Sequence, residues 1–387
     1  MQLTFEIVSG ISELEAAGWD ALTDGSPLLS HRFLSTLETT GCIGPGTGWQ
    51  ACPLVVKNGD TLAGAVPLYA KSHSYGEYVF DWSWASAFEQ HGLKYYPKLI
   101  AAVPFTPITG ARLLSQDPFI RQQMAAIIAN QLENLQLSSV HVLFPDQASA
   151  DVLRHAGWLQ RDGVQFRWEN PGFANFDEFL ARLTHDKRKK IRQERKKVRD
   201  AGLSIKRLTG SDISETDWDF FYVCYCNTYH QHASTPYLTR EFFQQLSARM
   251  ADNVLLVIAT LAGQPVAAAL NLFGTDRQGI SQLYGRYWGA LAQISGLHFE
   301  LCYYQAQEFC IERGIRFFEG GAQGEHKLAR GFTPRPTCSF HKIADSRFAN
   351  AIEHFVRRES SGVDHYQHEL EERSPFRRQS GDDHSAR

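Results

Sequence analysis

Apolar positions recur at two spacings along the chain. Residues 11–23 and 31–40 carry them three to four apart, which predicts two amphipathic helices; a loop punctuated by Gly41, Gly44, Gly46 and Gly48 follows. Continuous apolar runs at 53–56 and 61–69 then flank Lys57-Asn58-Gly59-Asp60, whose Asn-Gly step predicts a β-hairpin. A third strand is predicted at 78–82. The hairpin design returns at 254–259 and 265–272, around Ala262-Gly263-Gln264.

The two hairpins belong to a longer repeat. Placing Gly59-Asp60 over Gly263-Gln264 lays 61–69 over 265–273, and a similar offset lays 81–85 over 286–290. Residues 140–144 then correspond to 315–319. At one further offset Gly157-Trp158 and Phe166-Arg167-Trp168 fall on Gly331-Phe332 and Phe340-His341-Lys342. This order predicts a duplicated α/β (α+β) unit, each copy a mixed, mostly antiparallel sheet flanked by helices. With a boundary near Asn170-Pro171-Gly172 the units are 1–170 and 171–345, followed at 346–387 by a helix and a polar tail whose end reads as disordered.

Charge adds one feature. Residues 186–199 hold nine Lys or Arg and two carboxylates, in a chain of 387 residues whose net charge is −3. The remainder is therefore acidic, and the basic run suits a localised anionic partner. Across 176–201 the apolar positions thin from Phe176, Phe179, Leu180 and Leu183 to Ile191 and Val198 alone. That narrowing predicts a helix that leaves the globule, in a helical hairpin, and exposes its basic faces. Lys189, Lys190, Lys196 and Lys197 are its candidate phosphate contacts. No helix-turn-helix or RNP-type pattern supports reading of DNA.

The longest apolar run is the seven residues 220–226, too short to span a bilayer, and the N-terminal residues lack a secretory pattern, so the cytoplasm is the expected compartment. Seven scattered cysteines read as reduced thiols. Neither Cys224-x-Cys226 nor His230-x-His232 has partners at metal-ligand spacing, so no metal is expected.

Several runs are distinctive together: Glu319-Gly-Gly-Ala-Gln-Gly-Glu-His-Lys-Leu-Ala-Arg-Gly-Phe332, Ser30-His31-x-Phe33-Leu34, Phe80-Asp81-Trp82-x-Trp84-Ala85, Tyr95-Tyr96-Pro97-Lys98-Leu99, Val103-Pro104-Phe105-Thr106-Pro107-x-Thr109-Gly110, Tyr284-Gly285-Arg286-Tyr287-Trp288-Gly289 and Leu297-His298-Phe299-Glu300-x-Cys302-Tyr303-Tyr304. With the duplicated unit and the basic insertion, they resemble a bacterial family of predicted N-acyltransferases related to the Fem-type peptidoglycan aminoacyltransferases, from about Leu29 to Lys342. The resemblance implies tandem GNAT-like domains and amide formation on an amine-bearing acceptor, a peptide or small molecule. It implies no tightly bound cofactor; the co-substrate is acyl-CoA or aminoacyl-tRNA, the latter fitting the basic helix. From a different class, a binding module for a cell-wall peptide or RNA stays open.

Amide formation needs a base for the ammonium proton and donors for a tetrahedral oxyanion. Gly320 to Gly324 lie between an apolar strand and a short helix, where backbone N–H groups can meet an anion, and Glu319, Glu325, His326 and Lys327 adjoin them. The candidate base is Glu325 or His326, with Glu319 beside it; Gln323 and Lys327 are candidate substrate contacts, Gly321 and Gly324 cofactor contacts. A tight turn and helix caps are the plain alternatives. Arg286 and Gly289 fit a loose phosphate-loop pattern, Arg-x-x-Gly-x-Ala, before the helix beginning near Gly296, and Trp288 adjoins them. Within that helix Glu300, Tyr303, Tyr304 and Gln307 form a polar stripe expected to line a cleft. His298, Cys302, Ala306 and Phe309 form one expected to be core. Trp82, Trp84, Tyr95 and Tyr96 are candidates for an aromatic groove wall or for core. The counterpart of the Glu325 cluster in the first copy, 150–154, lacks its chemistry, which predicts one active site.

Overall fold

The computed structural model describes residues 3–321 and 324–377. Its fourteen strands are β1 (Leu3–Ile7), β2 (Trp49–Ala51), β3 (Leu54–Asn58), β4 (Thr61–Val66), β5 (Leu68–Lys71), β6 (Lys98–Ala101), β7 (Ser139–Leu143), β8 (Leu159–Glu169), β9 (Leu203–Thr209), β10 (Val254–Leu261), β11 (Gln264–Thr275), β12 (Ser281–Ala290), β13 (Phe317–Glu319) and β14 (Thr333–Ile343). Eleven of them form one sheet in the order β2-β5-β6-β7-β14-β8-β13-β12-β11-β10-β9, and β1-β3-β4 form a second. The class is the one read from the sequence, mixed α/β with helices flanking the sheets.

The pairing runs through the same series twice. From β1 through β3, β4/β5, β6 and β7 the neighbours are antiparallel, antiparallel, antiparallel, then parallel; from β9 through β10, β11, β12 and β13 the series is identical. Pro67, which has no backbone N–H to give a ladder, separates β4 from β5, where the corresponding β11 runs unbroken for 12 residues. The last strands are exchanged. β14 pairs with β7, β8 pairs with β13, and β8 and β14 pair with each other at the centre. Packing follows the exchange: Phe340 of β14 joins the core of β7 and the helix Pro118–Asn134, while Phe166 and Trp168 of β8 join that of β12 and the helix 297–313.

Three local expectations are corrected. Residues 78–82 form no strand; Trp82–Gln90 is a helix, and Tyr78 sits at φ 61, outside any extended ladder. The counterpart of β12 in the first copy is β6, so 81–85 do not overlie 286–290. The basic helix, His185–Asp200, does not leave the globule. Ile191 and Val198 are buried, Arg195 pairs with Glu300 and Glu308 at 3.0 and 2.6 Å, and Glu194 pairs with Arg330 at 2.7 Å. Counting charges by sequence made these residues look solvated; their partners lie more than a hundred residues away. The C-terminal helix runs from Ser346 to Glu372 through the Ser360-Ser361-Gly362 step, and the end of the polar tail lies outside the described residues. Among the described residues no helix is long and apolar enough to cross a membrane.

Candidate active site

Strands β12 and β13 run parallel only as far as Tyr284↔Glu319. Beyond that pair they part, because the chain after β13 turns to β8: the Gly320 N–H donates to the Phe166 carbonyl at 2.8 Å and the Phe166 N–H to the Gly321 carbonyl at 3.3 Å. Gly320 is required there, since a Cβ would lie 2.7 Å from the Phe332 ring. The freed edge of β12 faces the gap.

A β-bulge shapes that edge. Asn271 pairs with Gly285 and Leu270 with Tyr287, which leaves Arg286 as the extra residue. A bulge re-aims the side chain of its extra residue. The Arg286 guanidinium enters the gap, donating to Thr106 Oγ1 at 3.0 Å, to the Tyr287 hydroxyl at 3.1 Å and to the Phe105 carbonyl. All three partners are neutral oxygens, so its charge is directed by the protein without being cancelled. Beside it the Asn271 Nδ2 is buried with no hydrogen-bond partner among the described residues.

Two joined basins fill the gap. One, of about 480 Å³, is walled by Tyr225, Thr228 and Tyr229 of the helix Glu215–Gln231 and by His298, Cys302 and Tyr303 of the helix 297–313, with Arg286, Trp288 and Asn271 between. These helices pack in different cores on the two faces of the sheet, so the cleft perforates the sheet. The other basin, of about 410 Å³, shares Tyr78, Tyr237, Gly285, Arg286 and Gly320 with the first and adds Tyr75, Phe80, Trp82, Pro107, Gly321 and Lys327. The cleft thus has an aromatic wall from the first half of the chain and two cationic residues from the second.

Two imidazoles, those of His298 and His326, are held toward the neutral form by their surroundings. Burial, reinforced by His326, Arg330 and Lys327, lowers His298 to about 4. Burial and then Arg330 and Lys327 lower His326 as well. His326 Nε2 is 3.0 Å from the Tyr303 hydroxyl, and burial holds that phenol above its ordinary range, so it stays protonated. A neutral imidazole hydrogen-bonded to a phenol on a cleft wall can pass a proton in either direction. Lys327, lowered to about 8 by burial, donates to the Gly321 carbonyl at 3.3 Å.

Of the residues singled out by sequence, Trp82, Arg286, Trp288, Tyr303, Gly321 and Lys327 therefore line the cleft, with His326 behind Tyr303. Others lie elsewhere. Glu319 is held by Arg167 at 2.6 Å, and Glu325 by Arg373 at 2.8 Å and Tyr366 at 3.3 Å at the C-terminal helix. Gly289 is in β12, not in a phosphate loop; a Cβ there would lie 1.9 Å from the Cys224 carbonyl, so its glycine serves helix-to-sheet contact. Gly324, at φ 106, lies against the His326 ring, and Gln323 lies outside the described residues. Trp84 and Tyr95 pack in a core with Phe88 and Ile352. Lys189, Lys190, Lys196 and Lys197 are exposed on the basic helix, and Lys190 is near enough to act electrostatically on His326.

The two helical stripes are redistributed. Glu300 to Tyr304 form a π-helical turn, which breaks the i, i+3, i+4 alignment. His298 and Cys302, expected in the core, line the cleft, while Glu300 faces Arg195, Tyr304 faces Glu194, and the Gln307 amide donates to the Arg330 carbonyl at 2.8 Å. Asn271, Tyr225, Tyr229 and Tyr237 were not anticipated. The i, i+4 pair Tyr225 and Tyr229, on a helix otherwise polar at its end, was the available signal.

The site is thus a parallel strand pair that splays open beside a bulge. The chain belongs to the FemAB-like family, described as peptidoglycan biosynthesis and recognition, which it matches over residues 10–378. Among solved structures it is similar to FemX (TM-score 0.54, 11% identity, covering 91% of this chain and 100% of that one). It is also similar to L-PGS from Bacillus licheniformis (0.51, 10%, 84% and 94%) and to a conserved protein of unknown function from Bacteroides thetaiotaomicron VPI-5482 (0.52, 11%, 88% and 100%). At these identities the likeness is one of fold. No curated protein matches the sequence.

Proposed function

We propose that the protein is an N-acyltransferase that forms an amide on a primary amine of a peptidoglycan-type peptide, with an aminoacyl-tRNA ester as donor. The observation that carries this reading is the open β12/β13 gap, where Arg286 stands at the bulge and the Tyr303–His326 pair on the wall. The amine nitrogen attacks the ester carbonyl. Its proton passes to the Tyr303 oxygen as the Tyr303 proton moves to neutral His326, the developing oxyanion is held by Arg286, and the C–O bond breaks as the ribose hydroxyl leaves with a proton.

Two features favour tRNA over acyl-CoA. Lys190 of the basic helix acts electrostatically on His326, and the far mouth of the cleft, at Gln231, His232, Gln293, Ser295 and His298, has no Lys or Arg among its described lining residues for a diphosphate. In this reading residues 1–170 supply the acceptor wall and 171–345 the donor side, the C-terminal helix braces the short helix at Glu325 through Tyr366 and Arg373, and the protein works in the cytoplasm, where tRNA is charged.

Amide formation between aminoacyl-tRNA and a stem pentapeptide with a free side-chain amine tests the reading by mass spectrometry. His326→Ala and Tyr303→Phe should each lower kcat by about 100-fold; unchanged turnover in both overturns the assignment. Charge reversal at Lys189, Lys190, Lys196 and Lys197 should weaken tRNA binding and flatten its salt dependence. An unaltered slope, with turnover on acyl-CoA, transfers the donor to a thioester.

A further inference from the structure

The aromatic wall of the cleft is the irregular stretch 72–81 together with Trp82; its backbone is tied at the two ends, where the Ser72 N–H donates to the Gly48 carbonyl at 3.2 Å and the Asp81 carbonyl accepts from the Trp84 N–H at 3.0 Å, and side chains hold what lies between. Its side chains divide in two. Tyr75, Tyr78, Phe80 and Trp82 face the cleft, Glu77 and Asp81 turn inward, and Ser74, buried at the edge of the basin, joins those two in meeting one ammonium group. That group is Lys98 of β6, whose side chain has no exposed surface. Its Nζ donates to Ser74 Oγ at 2.9 Å, to Glu77 Oε2 at 2.8 Å and to Asp81 Oδ2. The Tyr95 hydroxyl donates to the same Asp81 oxygen at 2.6 Å, and the Tyr96 hydroxyl lies 2.7 Å from Ser74 Oγ. At the other end Lys71, equally buried, donates to the Tyr75 carbonyl at 3.1 Å, where the Trp49 indole N–H also donates at 3.2 Å, and lies 3.9 Å from Glu77 Oε1.

We propose that Lys98 is a positioning residue for the acceptor: by gathering Ser74, Glu77 and Asp81 it fixes the curve of the wall and so the place of Tyr75, Tyr78 and Trp82 against Arg286. This rests on the cleft being the transfer site. A buried ion pair is a poor source of net stability compared with apolar packing of the same volume, yet it fixes one arrangement. An apolar residue at 98 would fill the space without selecting which of the wall's polar groups turn inward.

The test uses the full chain. Lys98→Met combined with Asp81→Asn removes one charge of each sign and leaves the Lys71 and Glu77 pair. Ser74→Ala removes one acceptor from Lys98 and no charge, so it reports even if the double variant fails to fold. The first readout is acrylamide quenching of Trp82, taken as the difference between each protein and the same protein carrying Trp82→Phe. The second is steady-state transfer to the stem pentapeptide. The double variant should raise the Trp82 quenching constant at least twofold and the pentapeptide KM about tenfold, with kcat changed less than threefold; Ser74→Ala should move both in the same direction by a smaller factor. Unchanged quenching in both variants overturns the inference, as does a fall in kcat with KM unchanged. If the parent chain shows no transfer, the quenching still decides the role of Lys98 and only the functional reading falls.

Discussion

Two parallel strand pairs in one sheet end in opposite ways. Beyond Ala101↔Val142, the gap between β6 and β7 is filled by the chain itself: the segment 102–112 crosses it, Gly110 bridges Pro145, and the Gly110 N–H and carbonyl bond to the Phe144 carbonyl and the Asp146 N–H at 3.1 and 2.8 Å. Arg112 is buried within the plug and donates to the carbonyls of Ile108, Ala111 and Leu143. Beyond Tyr284↔Glu319 the corresponding gap is open, and its arginine has spare directions in which to meet a ligand. The plug also presents Phe105 and Thr106 to Arg286. Closing one gap thus helps to furnish the other, so under the proposed function the open gap would carry the transfer and the filled one would support it.

The two arginines provide the sharpest contrast. Arg286→Gln should cut kcat by about 100-fold in the transfer assay, since it removes a cation aimed at developing charge. Arg112→Gln should instead lower unfolding stability by about 3 kcal/mol in urea titration, because buried carbonyls lose their donor, with kcat per folded molecule held within about threefold. Equal kinetic losses would erase the distinction. Gly289→Ala comes next: with the Cys224 carbonyl in the way it should cost up to about 3 kcal/mol in the same titration, through overpacking, while KM for either substrate stays constant.

The smallest effect is a pH dependence. His298 and His326 both titrate below the ordinary imidazole value of 6.5, His298 near 4, so between those values the unfolded chain binds more protons than the folded one. Their share of stability is complete above pH 6.5 and is lost as pH falls toward 4, and the transfer rate should fall on the same acid limb. The measurements are melting temperature and kcat/KM from pH 4.5 to 8; a Tm that rises as the pH drops below 6.5 contradicts the assignment.

Local signals make much of this legible. The Asn-Gly and Gly-Gln turns mark β3-β4 and β10-β11, and the order of motifs marks the repeat. Tyr78 to Trp82 mislead because aromatic residues favour strands, whereas here the helix Trp82–Gln90 begins at the end of that run, buries Trp84 and Phe88 on one side and leaves Trp82 at the cleft. What is illegible is non-local: the partners of Arg195, the exchange of β8 and β14, and the plug. A π-helical turn has no periodic signature either, so helical spacing assigns Glu300 to the cleft in place of His298.

The exchanged strands bear on biosynthesis. His141 and His341, whose Nδ1 atoms lie 2.6 Å apart in adjacent strands, are separated by 200 residues of sequence. While the ribosome is still extending the chain, β7 has no strand on that edge and the core around Leu153 lacks Phe340. The nascent first half must wait, with an open edge, until β14 (Thr333–Ile343) has emerged, a period in which edge-to-edge association competes with folding.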